Sequence, residues 1–328
     1  MAATTSPADP VTPAQPQRPT QDPAAAPEQD AVGLGRKRAA GFVAPALVLI
    51  ALFLVAPALW TLYLGATDYR LTGLPAIHPS FVGLDNITHA LGDDGFLKSL
   101  WLTLLFVAGS AVAGQAVLGF ALAWWMRERS GRVKGLLEAL VMLSWILPSS
   151  VVAFLWIALL DRDGGTLNSV LHTPGAAWLL DHPMLSIIAY NIWRGTAFSM
   201  MLYSAALGNV PVSHLETARL AGASRWQQLR DVVFPCVRGH VLTNLLLISL
   251  WTFNDFSPYL ITAGGPDGKT ETLPVFIYQT ALGSGQLGYG SAISLLMLLV
   301  NLVVALVYLR LLGRKKKERG TTEEAKTA

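Results

Sequence analysis

Residues 41–65 read GFVAPALVLIALFLVAPALWTLYLG, an unbroken run without a charged side chain. A helix of about 20 apolar residues spans the hydrocarbon core of a bilayer, so this run predicts a transmembrane helix. It follows Arg36-Lys37-Arg38 as the apolar region of a signal peptide would. It is too long for such a region, however, and no small-x-small cleavage site closes it. We therefore interpret it as an uncleaved signal anchor.

Five further apolar stretches are long enough to cross a membrane. They lie near residues 99–126, 136–160, 184–208, 239–263 and 289–312. The composition agrees, because 52% of the 328 residues are hydrophobic and 14% are charged, whereas an average soluble domain is about 25% charged. The sequence therefore predicts an all-α membrane protein with six transmembrane helices and excludes a water-soluble globule.

Composition changes divide the chain into three regions. Residues 1–38 are rich in Ala, Pro, Thr and Gln and lack apolar periodicity, which is typical of a disordered tail. Residues 39–313 hold the predicted six-helix domain, including a long loop at 209–238. Residues 314–328 form a basic C-terminal tail, which we interpret as a membrane-side anchor and not as a nucleic-acid arm.

Lysine and arginine predict the orientation in the membrane. Nineteen of the 24 lie on the side that holds both termini, loop 127–135 and loop 209–238, and four lie on the other side. Cytoplasmic loops carry an excess of these residues. We therefore predict a multi-pass protein of the bacterial cell membrane, in the lipid bilayer, with both termini in the cytoplasm.

The stretch TAGGPDGKTE, residues 262–271, is similar to a phosphate-binding loop. Its first glycine is replaced by Ala263, and Pro266 removes a backbone N–H that such a loop would use. It also follows an apolar span at its outer end, where no nucleotide pool exists. We therefore predict that this chain binds no cofactor, is not an enzyme, and does not itself hydrolyse ATP.

Loop 209–238 reads NVPVSHLETARLAGASRWQQLRDVVFPCVR. Ser213 with Glu216, and Ser224 with Gln227, have the spacing of capping boxes. The pattern predicts one short helix over residues 214–221, ended by Gly222, and a second helix up to about residue 233. Pro235 is expected to stop that second helix before the fifth span.

This loop resembles the EAA loop of ATP-binding-cassette importer permeases, E-A-A-x-x-D-G-A followed by a hydrophobic position and L-P. The matching residues are Glu216, Ala218, Gly222, Ala223 and Pro235. Thr217 and Ala221 depart from the pattern, and Ala221 replaces the aspartate. The resemblance implies that this loop, with Arg225 on the same surface, docks on an ATPase subunit and couples ATP hydrolysis to the spans.

Other stretches resemble the carbohydrate-type, maltose-like members of that family, and specifically the first permease of the pair. They are FVGLDNI (81–87), SWILPSSVVAFLWIALLDRDGGTLN (144–168), IWRGTAF (192–198) and FNDFSPYLITAGGP (253–266). The resemblance covers about residues 40–312. It implies the type I ABC importer permease fold and four kinds of partner: a second permease subunit, two ABC ATPase subunits, an extracytoplasmic solute-binding protein and a sugar substrate.

Two groups of polar residues inside the predicted spans are candidates for the substrate pathway. Arg194 lies near the middle of span 4, with Tyr190 and Asn191 on the same helical face. Trp251, Asn254 and Asp255 have helical spacing in span 5. Aromatic faces combined with amide and carboxylate groups suit a sugar. The alternative for both groups is that they hold helices together or contact the second permease.

Two other function classes compete with an importer subunit. A self-sufficient secondary carrier for a small polar solute usually shows inverted repeats and coupling-ion carboxylates within its spans, and the sequence shows neither. A membrane enzyme would need a companion for Asp255, the only carboxylate well inside a predicted span, and the sequence offers no His, Ser or metal-site partner.

Overall fold

The structure is a computed structural model that describes residues 36–127 and 129–327, with side chains for residues 40–127 and 129–313. Residues 1–35 of the predicted N-terminal tail lie outside the described residues. The last three residues of that tail differ from the prediction, because they begin helix α1, Arg36–Ile50. The chain divides into two compact units, the first ending at Val55. In its described part, the first unit consists of α1 and a π-helical turn, Ala51–Val55.

The second unit starts at Ala56 and is built from helices. In chain order these are α2 Ala56–Gly65, α3 Leu74–Ile77, α4 Asp85–Leu91, α5 Asp94–Phe106, α6 Ala116–Arg127, α7 Arg132–Ile146, α8 Ser149–Leu159, α9 Thr166–Leu171, α10 Trp178–Asp181, α11 Pro183–Gly208, α12 Val212–Leu220, α13 Arg225–Gln227, α14 Phe234–Phe253, α15 Ser257–Thr262, α16 Leu273–Tyr278 and α17 Leu287–Thr327. Among the described residues the only β pairing is one isolated bridge, Thr67 with Phe81. The all-α prediction is therefore confirmed.

Within the described residues, four helices are long and apolar enough to cross a membrane by length and composition. They are Ala40–Gly65, Asp94–Arg127, Arg225–Phe253 and Leu287–Gly313. Short π-helical segments, such as Val107–Gln115 between α5 and α6, join the pieces of the longer ones. A fifth crossing results if α7 and α8 are counted as one span.

Two predicted spans, 3 and 5, differ from the structure, while span 4 is present as a helix at its predicted position. Span 3 is bent by 106° between α7 and α8, because Leu147 precedes a proline and takes an extended conformation. Span 4 forms the 26-residue helix α11. Its polar residues make it less apolar than the four helices named above. Span 5 ends at Phe253, ten residues before its predicted end.

Helix α11 is the best-buried long helix of the second unit. Half of its residues are buried, and Tyr190, Tyr203 and Ile187 are among the largest side chains that are fully buried. It packs against α6 so closely that a Cβ at Gly119 would lie 2.5 Å from the Ser199 Cβ and 2.9 Å from the Met200 backbone nitrogen. The α6–α11 contact therefore requires glycine at position 119.

Candidate functional site

A cleft opens beside α11 in the second unit. It encloses about 330 Å³ of empty space, its open side included, between α7, α11, α14 and the π-helical segment Val107–Gln115. Its lining includes Gln115, Trp145, Asn191, Arg194, Phe198, Trp251, Thr252 and Asp255. Four predicted pathway residues therefore meet here, namely Asn191, Arg194, Trp251 and Asp255.

Among the residues that the structure describes, Arg194 and Asp255 each have one buried polar atom without a partner. The Nη2 of Arg194 donates to the Ser149 hydroxyl at 2.8 Å, but its Nε has no acceptor. The Oδ1 of Asp255 accepts from the backbone N–H and the hydroxyl of Ser257, at 3.0 and 2.7 Å, but its Oδ2 has no donor. Buried polar groups are rarely unpaired. The cleft thus offers one charged donor and one charged acceptor to a ligand or to water.

Asn191 lines the cleft, but its side-chain amide and its backbone carbonyl already make hydrogen bonds within the protein. Its side-chain amide donates to the hydroxyls of Ser110 at 2.7 Å and Thr252 at 3.2 Å. Its backbone carbonyl accepts from the Gln115 side chain at 3.0 Å. Asn191 therefore joins three elements of the bundle and holds the wall of the cleft in place.

Tyr190 does not line the cleft. Its ring packs edge-on against Trp156, with the centroids 5.9 Å apart, and its hydroxyl approaches the Ser149 carbonyl at 3.4 Å. Residues 190 and 194 lie on one helical face as predicted, but the bent α7–α8 pair packs over the tyrosine. Tyr190 is a core residue that supports the segment contacting Arg194.

Three aromatic rings form one wall of the cleft. Trp145 meets Trp251 edge-on, with 4.6 Å between the centroids, and stacks on Phe198 at 5.3 Å. Half of the Trp251 surface is exposed. Sequence analysis identified Trp251 but missed Trp145, Phe198 and Gln115, which come from three different elements. The only local signal for Trp145 is its position three residues before Pro148, where the helix breaks.

Trp251, Asn254 and Asp255 do not share one helical face, although their spacing in the sequence predicts it. α14 ends at Phe253, and Asn254 donates to the Leu250 carbonyl at 2.6 Å and exchanges two 3.2 Å hydrogen bonds with Asn301 of α17. Asp255 accepts from the Ser257 N–H, and Pro258, which lacks a backbone donor, follows in α15. These contacts end one helix and start another. Asn254 consequently points to α17 and does not line the cleft.

The second candidate region is the loop at 209–238. Its first helix, α12, ends in a turn where Gly222 has φ +79°. The Gly222 N–H donates to the Arg219 carbonyl at 3.0 Å, and the Ala223 N–H donates to the Ala218 carbonyl at 2.9 Å. These two bonds with a left-handed residue between them form a Schellman motif, which confirms the predicted role of Gly222 in ending the helix.

One of the two predicted capping boxes is present. Gln227 N–H donates to the Ser224 hydroxyl at 3.3 Å, and Ser224 N–H donates to the Gln227 side chain at 2.8 Å. The Ser213–Glu216 box is absent from α12, because this helix starts at Val212 with Pro211 as its cap. Ser213 therefore lies inside the first turn, and Glu216 is exposed to solvent.

Pro235 does not stop the second helix, contrary to the prediction. A π-helical segment, Gln228–Val233, follows α13, and Pro235 is then accommodated in the first turn of α14. A proline lacks the donor that a helix interior requires, and a π turn shifts the hydrogen-bond register around it. The loop is therefore continuous with span 5, as one 29-residue helix, Arg225–Phe253.

The loop is anchored on one side and exposed on the other. Leu215 is buried in an apolar cluster with Tyr203 of α11 and Val237 of α14. Leu220 is 91% exposed and Trp226 is 68% exposed. Large apolar side chains beside the turn are thus available to another protein.

The turn at 262–271 is not arranged as a phosphate cradle. It follows the short helix α15, and Ala263 has φ +51°. The Thr270 hydroxyl, which would face a metal ion in a phosphate loop, is buried 2.7 Å from the Thr262 hydroxyl. The exposed Lys269 ammonium lies 4.0 Å from the Asp267 carboxylate.

Comparison with known proteins identifies the family. Residues 115–317 match the family described as "Binding-protein-dependent transport system inner membrane component". A probable ABC transporter permease protein of Pyrococcus horikoshii is 32% identical over 281 residues, covering 82% of this chain and 93% of that protein. The sulfoquinovosyl glycerol transport system permease protein SmoG of Agrobacterium fabrum is 27% identical over 289 residues, covering 83% of this chain and 89% of that protein.

A solved structure shares the fold. It is the bacterial alginate ABC transporter in complex with its alginate pentasaccharide-bound periplasmic protein, with a TM-score of 0.67, 18% sequence identity and coverage of 82% of this chain and 91% of that chain. Proteins of this family are permease subunits of the membrane and are not themselves enzymes. The chain belongs to the binding-protein-dependent transport system inner membrane components, the permease family of ABC transporters.

Proposed function

We propose that the chain forms half of the translocation pathway of an ATP-driven importer for a sugar or sugar-like solute. The partners in this proposal are a second permease, two ABC ATPase subunits that hydrolyse ATP, and an extracytoplasmic solute-binding protein. Residues 39–313 form the permease domain, which crosses the membrane six times and leaves both termini in the cytoplasm. Family membership supports this function over a self-sufficient carrier.

The observation that carries the proposal is the cleft beside α11. It combines the unpaired Nε of Arg194, the unpaired Oδ2 of Asp255 and the half-exposed ring of Trp251. A sugar has apolar C–H faces that pack on aromatic rings, and hydroxyls that both donate and accept. A charged donor and a charged acceptor in one cleft satisfy a neutral polyhydroxylated ligand without requiring charge on it.

The exposed pair of Asn254 and Asn301 indicates on which face of the chain the pathway lies. The two amides bond to one another on an exposed face, next to the half-exposed Trp251. Exposed amides are costly against lipid tails and are normally found facing a polar cavity or another protein. We therefore place the shared pathway and the second permease on this face of α14 and α17.

Coupling to ATP is proposed for the loop at 209–238. Glu216 and the apolar residues near Gly222 are exposed, while Leu215 fixes the first helix to the bundle. The Ala218–Ala223 hydrogen bond sets the turn, Arg225 opens the next helix, and Pro235 lies in the helix that continues into span 5. A movement of the loop by an ATPase subunit would thus be transmitted along one helix to Trp251.

The test is uptake by a bacterial strain that lacks this chain and receives it from a plasmid, on a panel of sugars. The ligand of the accompanying binding protein is identified separately by its stabilisation against heat. We expect uptake of one sugar class, dependent on ATP and on the binding protein. Uptake that persists without the ATPase subunits and follows an ion gradient would instead establish a secondary carrier.

A further inference from the structure

We propose that a basic cleft between the end of α6 and the loop at 209–238 binds the phosphate headgroup of an anionic phospholipid. This cleft, the arginine cleft, encloses about 1440 Å³ of empty space, its open side included. Its described lining holds four arginines, two tryptophans and Gln228, and no acidic residue. The inference uses the membrane location of the chain and is independent of its proposed substrate.

Two of the arginines lie at the end of α6 and just after it, and each packs on a tryptophan ring of α6. The guanidinium carbon of Arg129 lies 3.9 Å from the Trp125 ring centroid, and that of Arg127 lies 5.8 Å from the Trp124 centroid. Within the part of the chain that the structure describes, neither guanidinium contacts a carboxylate. A guanidinium stacked on a ring keeps its N–H edge free to donate to a phosphate.

The other two arginines, Arg219 and Arg225, belong to the loop at 209–238. Arg219 is oriented by Gln228, whose side-chain oxygen accepts from Nε at 3.4 Å, and Arg225 lines the same cleft. Glu128, between the α6 arginines in sequence, lies outside the described residues. The positive charges of Arg127 and Arg129 attract anions to the arginine cleft.

The position of the arginine cleft favours a lipid as its ligand over a soluble anion or an acidic protein segment. The cleft begins where Asp94–Arg127, a helix apolar enough to cross the membrane, ends. Tryptophans are enriched at such membrane–water interfaces. An adjoining cleft shares Trp125 and Arg129 and is lined further by Val133, Lys134 and Leu137, with Val133 71% exposed. Apolar surface beside basic groups suits an acyl chain next to its phosphate.

The experiment measures lipid binding by the purified transporter complex. Native mass spectrometry follows titration with phosphatidylglycerol or with phosphatidylcholine, and glycerol phosphate serves as a soluble competitor. The variants are the double substitution Arg127→Gln/Arg129→Gln and the single substitution Arg129→Lys. The matched control is Arg230→Gln, because Arg230 is exposed and paired with Asp231 at 2.9 Å, outside the arginine cleft.

We expect the parent complex to prefer phosphatidylglycerol at least tenfold. The double variant should bind it roughly 30-fold more weakly, the equivalent of about 1 kcal/mol for each arginine. Arg129→Lys should keep most of the affinity because it keeps the charge, and Arg230→Gln should keep all of it.

Several results would overturn the inference. Equal binding of both lipids by the parent complex is one, and it needs no variant to fold. Unchanged affinity in the double variant is another. Displacement of the lipid by glycerol phosphate at similar concentration would assign the cleft to a soluble phosphate. Loss of the ATPase subunits from the double variant, with lipid binding intact, would assign it to an acidic protein surface.

Discussion

The turn at Gly222 and the cleft beside α11 differ in how far apart their determinants lie in the chain. In the turn, hydrogen bonds from Ala223 to Ala218, from Gly222 to Arg219 and between Ser224 and Gln227 join residues at most five positions apart. In the cleft, Gln115, Trp145, Arg194 and Asp255 converge from four different segments. The backbone N–H groups of residues 221–224 are all paired within the turn, whereas among the described residues the cleft keeps two buried side-chain atoms without a partner. A rigid turn is suited to transmitting movement from an ATPase subunit. Unpaired polar groups are suited to forming hydrogen bonds with a ligand that passes through the cleft.

The largest expected effect is at the turn. Gly222 has φ +79°, and among the described residues no atom beyond its two chain neighbours lies within 4 Å of the point that a Cβ would occupy, so its need for glycine comes from the backbone alone. A valine there costs of order 1–3 kcal/mol in strain and occupies space where an ATPase surface would approach. We expect Gly222→Val to abolish uptake and to release the ATPase subunits, measured by co-purification, while the chain still inserts into the membrane.

The matched control is Gly239→Val. Gly239 also has nothing within 4 Å of a Cβ, but it lies within helix α14 and has no positive φ. Gly222→Ala should fall between the two, because alanine in the left-handed region costs about 1 kcal/mol. Full uptake and full ATPase retention in Gly222→Val would refute the proposed coupling function of the loop.

A smaller effect is expected in the cleft. Asp255→Asn keeps an oxygen that can accept from Ser257, and so preserves the start of α15, while it removes the charged acceptor from the cleft. A hydrogen bond to a charged group contributes about 1.5–3 kcal/mol. We expect uptake to fall by roughly 10- to 100-fold with the complex still assembled, and Trp251→Ala to reduce it as well.

Asp163→Asn is the control, because Asp163 is an exposed carboxylate in the turn after α8 and does not line the cleft. The readouts are the uptake rate at saturating sugar and the yield of intact complex. Normal uptake in both cleft variants would mean that these side chains only pack the bundle. The binding site would then lie on the second permease.

The sequence separation of the contacting residues also explains which features of the two regions could be predicted from the sequence. The positive φ of Gly222 and the Ser224–Gln227 box follow from residue types at short, fixed spacings, and both are found in the structure. The partners of Arg194 could not be predicted this way. Ser149 reaches it only because the chain bends by 106° between α7 and α8. Proline marks a possible bend but not its angle.

The incorrect local predictions have the same explanation. Spacing alone placed Asn254 and Asp255 on one helical face, but Asp255 bonds to Ser257 and interrupts the helix. The Ser213–Glu216 spacing fits a capping box, yet α12 starts before Ser213. In the first case a competing hydrogen bond two residues away sets the helix end. In the second case the N-cap is Pro211, two residues before Ser213. A helix terminus depends on which of several possible caps forms, and tertiary packing decides between them.

A weaker effect is expected from removing the observed capping box at Ser224, and none from the corresponding substitution at Ser213. Ser224→Ala removes the hydroxyl that accepts from Gln227 N–H and should destabilise α13 by about 1 kcal/mol. We expect a several-fold slower uptake and fewer retained ATPase subunits. Ser213→Ala should change neither, because the Ser213 hydroxyl caps nothing in α12. Equal effects of the two substitutions would show that both serines act only by helix propensity.

The smallest effect is expected at Lys269, which gives residues 262–271 their likeness to a phosphate loop. Its ammonium is exposed and 4.0 Å from Asp267, and such surface pairs contribute about 0–1 kcal/mol. The neighbouring Thr270 hydroxyl is already bonded to Thr262, so Lys269 has no phosphate site to complete. We expect Lys269→Ala to retain ATP-driven uptake, and the purified chain to bind no ATP analogue with or without the lysine. Thr270→Val, which breaks the buried hydroxyl pair, should lower the yield of inserted chain and so shows that the assay detects damage in this turn. If Lys269→Ala inserts normally but loses ATP-driven uptake, the turn has a direct part in energy use, and the assignment of ATP hydrolysis to partner subunits is wrong.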